Sequence, residues 1–296
     1  MLHKNGSAFF FVILFFGLSL QLHAQQSTVS IEVVATFDYP REGATQTVGW
    51  AIANTGLSVG DFRLPNNDIV SYERTPNGRF SHPLSFPGAI VTAAQGIDVS
   101  GVVCGSMDLA SITHGFFYDG QTYTQYDAPS STFTFIVGEN DKGDFVGTAE
   151  ISENPTAFAS LAGVFTTFTV PGAVDTYPSG INNASQIVGS YDDVYGSHGF
   201  FRDADGTFTF PIDFPGATDT YLNGINDRGN IVGIWYNNGG GASAFVFQLP
   251  NRFTSFEYVG AVSTVFRGIN NMGLIAGSYV DSTYIFNHGL IAHVGR

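Results

Sequence analysis

"GINNASQIVGSY", Gly180 to Tyr191, recurs as "GINDRGNIVGIWY" from Gly224 and as "GINNMGLIAGSY" from Gly268. Weaker copies of the same pattern stand upstream, and they begin at Ala51, Gly96 and Gly138. The six copies follow one another at intervals of 42 to 45 residues. A repeat of this length indicates supersecondary units that stack on one another to bury a common core.

The glycines of the repeat raise the question of a phosphate-binding loop. A Walker loop requires Gly-Lys followed by Ser or Thr, and none of the six copies contains it. A dinucleotide fingerprint stands between a strand and a helix, whereas both flanks of this segment predict strands. Asn three residues before Gly is typical of a turn, because the Asn side chain accepts from the backbone and Gly adopts positive φ. We therefore predict a hairpin.

Each repeat contains about four strand-like segments, which we name a to d. The hairpin joins strands a and b, and a second segment such as "SHGFFRDADGTF", Ser197 to Phe208, joins strands c and d. A third segment such as "IDFPGA", Ile212 to Ala217, leads into the next unit. Four strands in 40 to 50 residues are typical of a β-propeller blade. We predict an all-β fold, a six-bladed β-propeller, as a single domain over residues 25–296.

The N-terminal segment "VVATFDYP", Val33 to Pro40, resembles the last strand of a unit, yet it precedes the first complete one. The final unit ends with a short fourth strand. We predict that the N-terminal strand completes the last blade or lies beside it, and that it closes the ring.

The first 24 residues predict a signal peptide. His3 and Lys4 form a basic start, Ser7 to Leu20 is apolar, and Ala24 is a small residue at the expected cleavage point. A membrane anchor is the alternative, but the apolar run is short for a span. We expect a secreted, extracellular or periplasmic protein without a membrane span after cleavage.

The chain carries a net charge of −14 at neutral pH. Nucleic acids and anionic membranes attract basic surfaces, so neither is an expected partner. Carbohydrates, other proteins or cations suit this surface better. We expect a monomer and no cofactor; the one hint of Ca²⁺ is "DADG", Asp203 to Gly206, which lacks the further ligands of a calcium loop and is better explained as a turn.

The sequence resembles the HAF family of probable extracellular repeat proteins. The resemblance covers about residues 35 to 294 and depends on the six repeats, on "HGFF" at His114 and His198, and on "PGA" at Pro87, Pro171 and Pro215. No unit carries the literal His-Ala-Phe triplet, and the first unit is degenerate. The resemblance implies a bacterial exported protein with propeller-like repeats, and it implies no reaction.

Several side chains allow both a chemical and a structural interpretation. His114 and His198 occupy the same position in two units, where a structural role is favoured over metal binding or general base catalysis. Cys104, the only cysteine, has no neighbouring cation, which favours a buried thiol over a reactive one. Carboxylates recur before the link between units, where capping of a turn N–H is favoured over paired catalysis; they are Asp38, Asp127, Asp213 and Glu257.

The loops between strands b and c vary most among the units. In an up-and-down blade they share one face with the links between units, and variable loops on a rigid scaffold often bind ligands. The candidate binding residues on this face are Asp68, Asp108, Glu150, Glu153, Asp175, Asp192, Asp193 and Asp219. We predict a non-catalytic binding or scaffold module. The alternative is a propeller-type hydrolase or lyase that acts on polysaccharide through carboxylates at the ring centre.

Overall fold

The computed structural model describes residues 29–66, 68–81, 83–238, 240–283 and 286–295, so the predicted signal peptide lies outside the described residues. Within these ranges the chain forms 23 β-strands and no α-helix, which confirms an all-β fold. This part of the chain contains no helix that is long and apolar enough to cross a bilayer.

The strands of the first three units and the strand before them are β1 Ile31–Phe37, β2 Thr45–Ile52, β3 Ser58–Arg63, β4 Ile69–Arg74, β5 Val91–Ile97, β6 Val103–Leu109, β7 Ile112–Tyr118, β8 Tyr123–Tyr126, β9 Ser131–Glu139, β10 Phe145–Ile151, β11 Asn154–Leu161 and β12 Val164–Phe168. The last three units contain β13 Asp175–Ile181, β14 Ile187–Asp192, β15 Ser197–Arg202, β16 Phe208–Ile212, β17 Asp219–Ile225, β18 Asn230–Tyr236, β19 Ser243–Gln248, β20 Arg252–Phe256, β21 Ser263–Ile269, β22 Leu274–Val280 and β23 Asn287–Val294.

The strands form five sheets. Three sheets hold one unit each, in the orders β12-β11-β10-β9, β13-β14-β15-β16 and β17-β18-β19-β20. The fourth, β1-β23-β22-β21, joins the N-terminal strand to the last unit, and β1 pairs antiparallel with β23. The N-terminal strand therefore lies beside the last unit, as the sequence predicts. The fifth sheet has seven strands, β2 to β8.

The seven-stranded sheet contains the first two units. A single parallel pair between β4 and β5, Val70 with Thr92, connects them. The first unit has three strands instead of the expected four. Its fourth segment is reduced to two isolated bridges, Ser71 with Leu84 and Arg74 with Phe80. Proline lacks the N–H that a strand ladder needs, and Pro83 and Pro87 interrupt this segment.

Buried side chains fill the spaces between successive units. In one cluster Phe201 of β15 packs with Leu222 and Phe245 of the following unit. Another joins the first and last units, where Ile52 of β2 packs with Ala276 and Ile291. Burial of each such side chain contributes about 1.5–3 kcal/mol to folding, so the faces between units form the hydrophobic core.

The glycines of the opening motif serve the backbone. At the first position a Cβ on Gly180 would lie 3.1 Å from the Cα of Gly224, so this glycine permits the close approach of neighbouring first strands. The middle glycines have positive φ, and Ser185, which replaces one of them, adopts φ 57. At the closing position a Cβ on Gly189 would come closer than 3.0 Å to the carbonyl oxygen of Tyr177 and to the ring of Phe200. The hairpin prediction is confirmed.

The Asn of the motif also links neighbouring units. Asn182 accepts hydrogen bonds from the backbone N–H groups of Ala184 and Gln186 within its own turn. Its Nδ2 donates 3.3 Å to the carbonyl oxygen of Asn226 in the next unit. The same bond recurs from Asn140, Asn226 and Asn270, and the last of these donates 2.8 Å to the carbonyl oxygen of Ala53 in the first unit. We call this series the Asn ladder.

A buried Thr near the start of each first strand caps the link that precedes it. The hydroxyl of Thr220 accepts a hydrogen bond of 3.0 Å from the backbone N–H of Phe214. Equivalent bonds occur in the other five units, at Thr47, Thr92, Thr134, Thr176 and Thr264. The prediction that the acidic side chains of these links cap the turn N–H is therefore wrong, because the Thr hydroxyl of the following strand occupies that position.

Candidate functional site

Three cavities follow one another along the first strands of the units, β2, β5, β9, β13, β17 and β21. The lower cavity lies at the Asn turns, and the middle cavity shares several isoleucines with it, including Ile52 and Ile225. The upper cavity lies towards the start of the strands and has a volume of about 250 Å³. We call the three together the central channel. Its upper end opens towards the face of the variable loops.

One residue from each unit lines both the middle and the upper cavity. Each of these residues stands directly before the first position of the repeated motif. The residue at that first position packs against the first strand of the adjacent unit. These channel residues are Trp50, Gln95, Val137, Ser179, Asn223 and Arg267. They bring an indole, two amides, a hydroxyl and a guanidinium to the centre of the molecule, groups that bind ligands through hydrogen bonds and ring faces.

Arg267 is the cation among the channel residues. Its guanidinium carbon lies 4.4 Å from the ring centroid of Trp50, and Nη1 donates 3.3 Å to Ser278 Oγ. Burial lowers the pKa of Arg267 to about 10, against the opposing charge of Asp61. The side chain therefore stays charged at neutral pH.

Asp61 lies behind the channel wall and accepts a hydrogen bond from Trp50 Nε1. Burial raises the pKa of the Asp61 carboxyl, although the Trp50 bond and the Arg267 charge oppose this shift. No carboxylate of the described residues lies within 4.0 Å of a nitrogen of Arg267. Trp50 thus contacts both charged groups, the cation through its ring face and the anion through its N–H.

The amides of the channel differ in their partners. Asn223 Nδ2 donates 2.7 Å to the carbonyl oxygen of Phe266, which holds the side chain in place and leaves Oδ1 as its acceptor. Gln95 Oε1 is buried and has no hydrogen-bond partner among the described residues. A buried acceptor without a donor costs about 1–3 kcal/mol. The wall of the upper and middle cavities therefore offers the Oδ1 of Asn223 to a ligand that carries donors, while Gln95 Oε1 is buried within the wall.

Glu139 lines the middle and lower cavities beside the buried thiol of Cys104. Burial raises the pKa of Glu139 well above its ordinary value, and the charge of Asp98 raises it further. Burial likewise raises the pKa of the Cys104 thiol well above its ordinary value, with Glu139 as the next cause. Cys104 is thus the buried thiol that the sequence predicts.

The lower mouth of the channel is a ring of Asn and Asp side chains from the residues that follow the Asn ladder. Asn183 Oδ1 accepts 2.9 Å from the N–H of Asp141, and Asp227 Oδ1 accepts 2.7 Å from the N–H of Asn183. Asn183 Nδ2 donates to both carboxylates, at 2.8 Å and 2.9 Å. Asn54 Nδ2 reaches Asp141 Oδ2 at 3.3 Å. These amide groups donate hydrogen bonds to the two carboxylates, so the ring joins the units to one another.

The eight predicted binding residues lie at or beside the variable loops, and none of them lines the three cavities. Asp175 and Asp192 pair across β13 and β14. Asp192 accepts 2.6 Å from Ser197 Oγ, and Asp219 accepts 3.2 Å from the N–H of Ser197. Asp193 accepts 2.7 Å from the N–H of Tyr195, and this bond is the main cause that lowers the pKa of its carboxyl.

The other four of the eight lie in the first three units. Asp108 accepts 2.7 Å from Thr113 Oγ1, and Asp68 accepts 2.6 Å from Asn66 Nδ2. Glu150 accepts from Thr132 Oγ1, and Glu153 stands in the turn between β10 and β11 at φ 63. Most of these carboxylates hold their own loop or strand end, while Asp219 bonds to Ser197 of the preceding unit and Glu150 bonds to Thr132 of the neighbouring strand. In the described part of the chain no three His, Cys, Asp or Glu residues form a group that could hold a metal ion.

The histidines at the start of the third strands pair with the acids of the links. His114 Nδ1 lies 2.6 Å from Asp127 Oδ1, and His198 Nδ1 lies 2.9 Å from Asp213 Oδ1. Asp38 pairs in the same way with His288 of the last unit, at 2.8 Å. In the fifth unit Ser243 Oγ donates 2.8 Å to Glu257. Each acid thus joins the end of a fourth strand to the third strand beside it.

"DADG" is the turn between β15 and β16, as the sequence predicts. The N–H of Gly206 donates 2.9 Å to the carbonyl oxygen of Asp203, and the N–H of Asp203 donates 2.8 Å to Thr207. Asp205 accepts from the N–H of Thr207, which is the main cause that lowers the pKa of its carboxyl.

The channel residues escaped the sequence analysis, although the sequence holds a signal for them. In each unit one position directly before the motif changes its chemistry, from Trp50 to Gln95 to Arg267, while the motif itself repeats. A variable position next to an invariant backbone pattern indicates a side chain whose identity the fold does not require. Attention to loops alone misses it, because these residues lie within strands.

No family model matches the sequence, and no curated protein matches it. Among solved structures, the chain is similar to a putative TolB from Agrobacterium tumefaciens, with a TM-score of 0.58 and 10% identity over 86% of this chain and 90% of that one. It is also similar to a mutant of the Aleuria aurantia lectin in complex with alpha-methyl-L-fucoside, with a TM-score of 0.50 and 11% identity over 88% of this chain and 97% of the lectin.

A third similar structure is a catalytically inactive virginiamycin B lyase from Staphylococcus aureus with quinupristin. Its TM-score is 0.50, at 11% identity, over 89% of this chain and 99% of the lyase. At such identities the likeness concerns the fold alone. The chain therefore has the all-β architecture of propeller-type proteins.

Proposed function

We propose that this chain is an exported, non-catalytic binding module, a closed six-bladed propeller that holds a ligand in the upper part of its central channel. One observation carries the proposal. The six units bring six chemically different side chains to one cavity of about 250 Å³, while the surrounding motif repeats. Convergent polar groups in a concave site are the usual mark of ligand binding.

Contacts between the first and last units support a closed ring. Asn270 Nδ2 donates 2.8 Å to Ala53 O, and the N–H of Asn271 donates 2.8 Å to Asn54 Oδ1. These bonds repeat the ones between consecutive units in the middle of the chain. The pairing of β1 with β23 adds a fourth strand to the last unit. The single pair between β4 and β5 leaves the first two units as separate blades in this proposal.

The chemistry of the upper cavity supports binding without catalysis. Its polar lining consists of indole, amide, hydroxyl and guanidinium groups. None of these groups changes its protonation state near neutral pH, as a general acid or base would need to do. A glycoside hydrolase would need two carboxylates that face each other across the site. Glu139, deeper in the channel, contributes one buried carboxyl.

Export and family membership complete the proposal. We infer that residues 1–24 direct a bacterial chain out of the cytoplasm and that the mature protein is a monomeric member of the HAF family, secreted or periplasmic. Its acidic surface, with a formal net charge of −14 for the whole chain, suits carbohydrate or protein partners better than nucleic acid. Divalent cations remain in the set of ligands to be tested.

The test uses the mature chain against a library of glycans and divalent cations, with melting temperature and Trp fluorescence as readouts. A ligand that binds the folded state raises the melting temperature. Ser179→Trp places a large ring in the upper cavity, so we expect it to abolish binding while the circular dichroism spectrum stays that of a β-protein. Tyr195→Trp, on an exposed loop, is the matched control and retains binding. Unchanged affinity in Ser179→Trp would contradict the site, and cleavage of a bound glycan would contradict a non-catalytic role.

A further inference from the structure

We infer that the ligand of the upper cavity carries a carboxylate flanked by hydroxyl groups, as a uronic acid residue does. The inference rests on the proposed function, because it names the ligand class of the same site. It depends on two features of the channel wall, a cation without an ion pair and an acceptor without a donor.

The first feature is Arg267. A guanidinium has five N–H donors, and the hydrogen bond of Arg267 within the described residues is the one to Ser278 Oγ at 3.3 Å. The remaining donors lie in a half-buried side chain that lines the upper cavity. A carboxylate matches the fork of a guanidinium with two parallel hydrogen bonds. A ligand carboxylate is therefore the natural partner of this side chain.

The protein's own carboxylates do not fill this role. Asp61, the first of the charges that act on Arg267, accepts from Trp50 Nε1 at the edge of the indole, whereas the guanidinium lies over the ring face. A half-buried cation without a close anion is incompletely compensated, and an anionic ligand would supply the missing partner.

The second feature selects hydroxyl groups beside the carboxylate. Asn223 keeps its Oδ1 for the cavity because its Nδ2 bonds to the carbonyl oxygen of Phe266. A ligand hydroxyl would donate to this oxygen, while a plain alkyl carboxylate would leave it without a donor. Gln95 Oε1 is buried within the wall, so the hydroxyl contact is assigned to Asn223 alone. A cavity of about 250 Å³ exceeds the share of several water molecules and accommodates a single sugar ring.

The experiment is isothermal titration of the mature chain with D-glucuronate and D-galacturonate, with D-glucose and D-galactose as neutral counterparts of the same shape. We expect at least one uronate to bind about ten- to a hundredfold more tightly than its neutral counterpart, the effect of charge-assisted hydrogen bonds. The affinity should fall as the salt concentration rises.

Two variants test the contact with the carboxylate. Arg267→Gln removes the cation, and Gln95→Glu adds a negative charge to the cavity wall in a side chain of nearly the same size. Each should weaken uronate binding about tenfold or more and lower the affinity for the neutral sugars by a smaller factor. Arg202→Gln, on an arginine that packs over Phe168 outside the channel, is the matched control and should stay within about twofold of the wild type. If Arg267→Gln fails to fold, the uronate affinity of Gln95→Glu still tests the inference.

The outcomes separate this inference from the proposed function. Equal affinity for uronates and neutral sugars, or unchanged uronate affinity in Gln95→Glu, overturns the carboxylate inference and leaves the channel as a binding site. A second outcome leads to the same conclusion: no uronate binds, but a different ligand binds and Ser179→Trp abolishes its binding. Uronate binding that Ser179→Trp does not affect overturns the location of the site itself.

Discussion

The guanidinium of Arg267 lies 4.4 Å from the ring of Trp50, although one belongs to the last repeat unit and the other to the first. The same indole donates its N–H to Asp61. Trp50 therefore holds two charged side chains in place at the junction of the two ends of the chain.

We expect Trp50→Phe to lower the free energy of unfolding by about 1–3 kcal/mol, because it leaves the buried Asp61 carboxylate without its donor. Trp235→Phe is the matched control in a chain with two Trp residues. Trp235 Nε1 donates 3.3 Å to Ser255 at an exposed position, and its ring stacks on Phe214, so Trp235→Phe keeps an aromatic ring there and should cost no more than about 1 kcal/mol. Urea unfolding followed by circular dichroism measures both, and equal losses would contradict the role of Trp50.

The Asn ladder has a gap at Asp98, whose carboxylate has no N–H to offer the next unit. We expect Asp98→Asn to raise the free energy of unfolding by about 0.5–1.5 kcal/mol, because the new amide can donate to the carbonyl oxygen of Asn140. The turn should survive, because the amide oxygen can still accept from the N–H of Val102, which donates 2.8 Å to Asp98 Oδ1 in the wild type. Glu153→Gln removes a charge without adding such a bond. If it stabilises the protein equally, general charge reduction explains the effect.

The closing glycine of the motif tolerates no side chain. A Cβ on Gly147 would come closer than 3.0 Å to the carbonyl oxygen of Phe135 and to the ring of Phe158. Gly147→Ala should therefore cost about 3 kcal/mol or more. At Gly143, with φ 79 and open space around it, Ala should cost only about 1–2 kcal/mol. Thermal unfolding of the two variants gives the comparison, and a milder effect at Gly147 would refute this explanation of the repeat.

His198 makes stability depend on pH. Burial lowers its pKa, but the hydrogen bond and the charge of Asp213, together with the charge of Asp193, raise it above the ordinary value of 6.5. A raised pKa in the folded state stabilises the protein fully below the unfolded value, and this contribution disappears as the pH rises through the folded value. The difference in unfolding free energy between wild type and His198→Gln should therefore shrink from about pH 5.5 to about pH 8.5. A difference that stays constant would contradict the prediction.

The repeated features of the fold could be read from the sequence because they recur. Six copies of the motif exposed the hairpin, the positive φ of the middle position and the place of the N-terminal strand beside the last unit. The missing fourth strand of the first unit was hidden, because Leu84 and Phe80 still follow the apolar pattern while Pro83 and Pro87 remove the ladder donors.

The candidate site was harder to predict for a physical reason. A repeat analysis finds positions that stay the same, whereas the channel differs at every unit, from Trp50 to Asn223 to Arg267. The exposed carboxylates of the loops resemble ligand-binding groups in the sequence, yet most of them hold their own loops, as Asp192 does with Ser197. The sequence also favours the acids of the links as caps, because the true cap, Thr220 and its equivalents, lies in the next strand, six residues from the N–H that it binds.

The two ends of the described chain meet, since the N–H of Gly295 donates 2.8 Å to the carbonyl oxygen of Ser30 next to the paired strands β1 and β23. The ribosome makes β1 first among the strands and β23 last. That sheet therefore has no complete form until β23 has been made, and its folding joins the strand pair with the largest sequence separation in the described chain. The same proximity allows a circular permutant of the described residues, in which a short linker joins Gly295 to Ser30 and the chain is opened at a different loop.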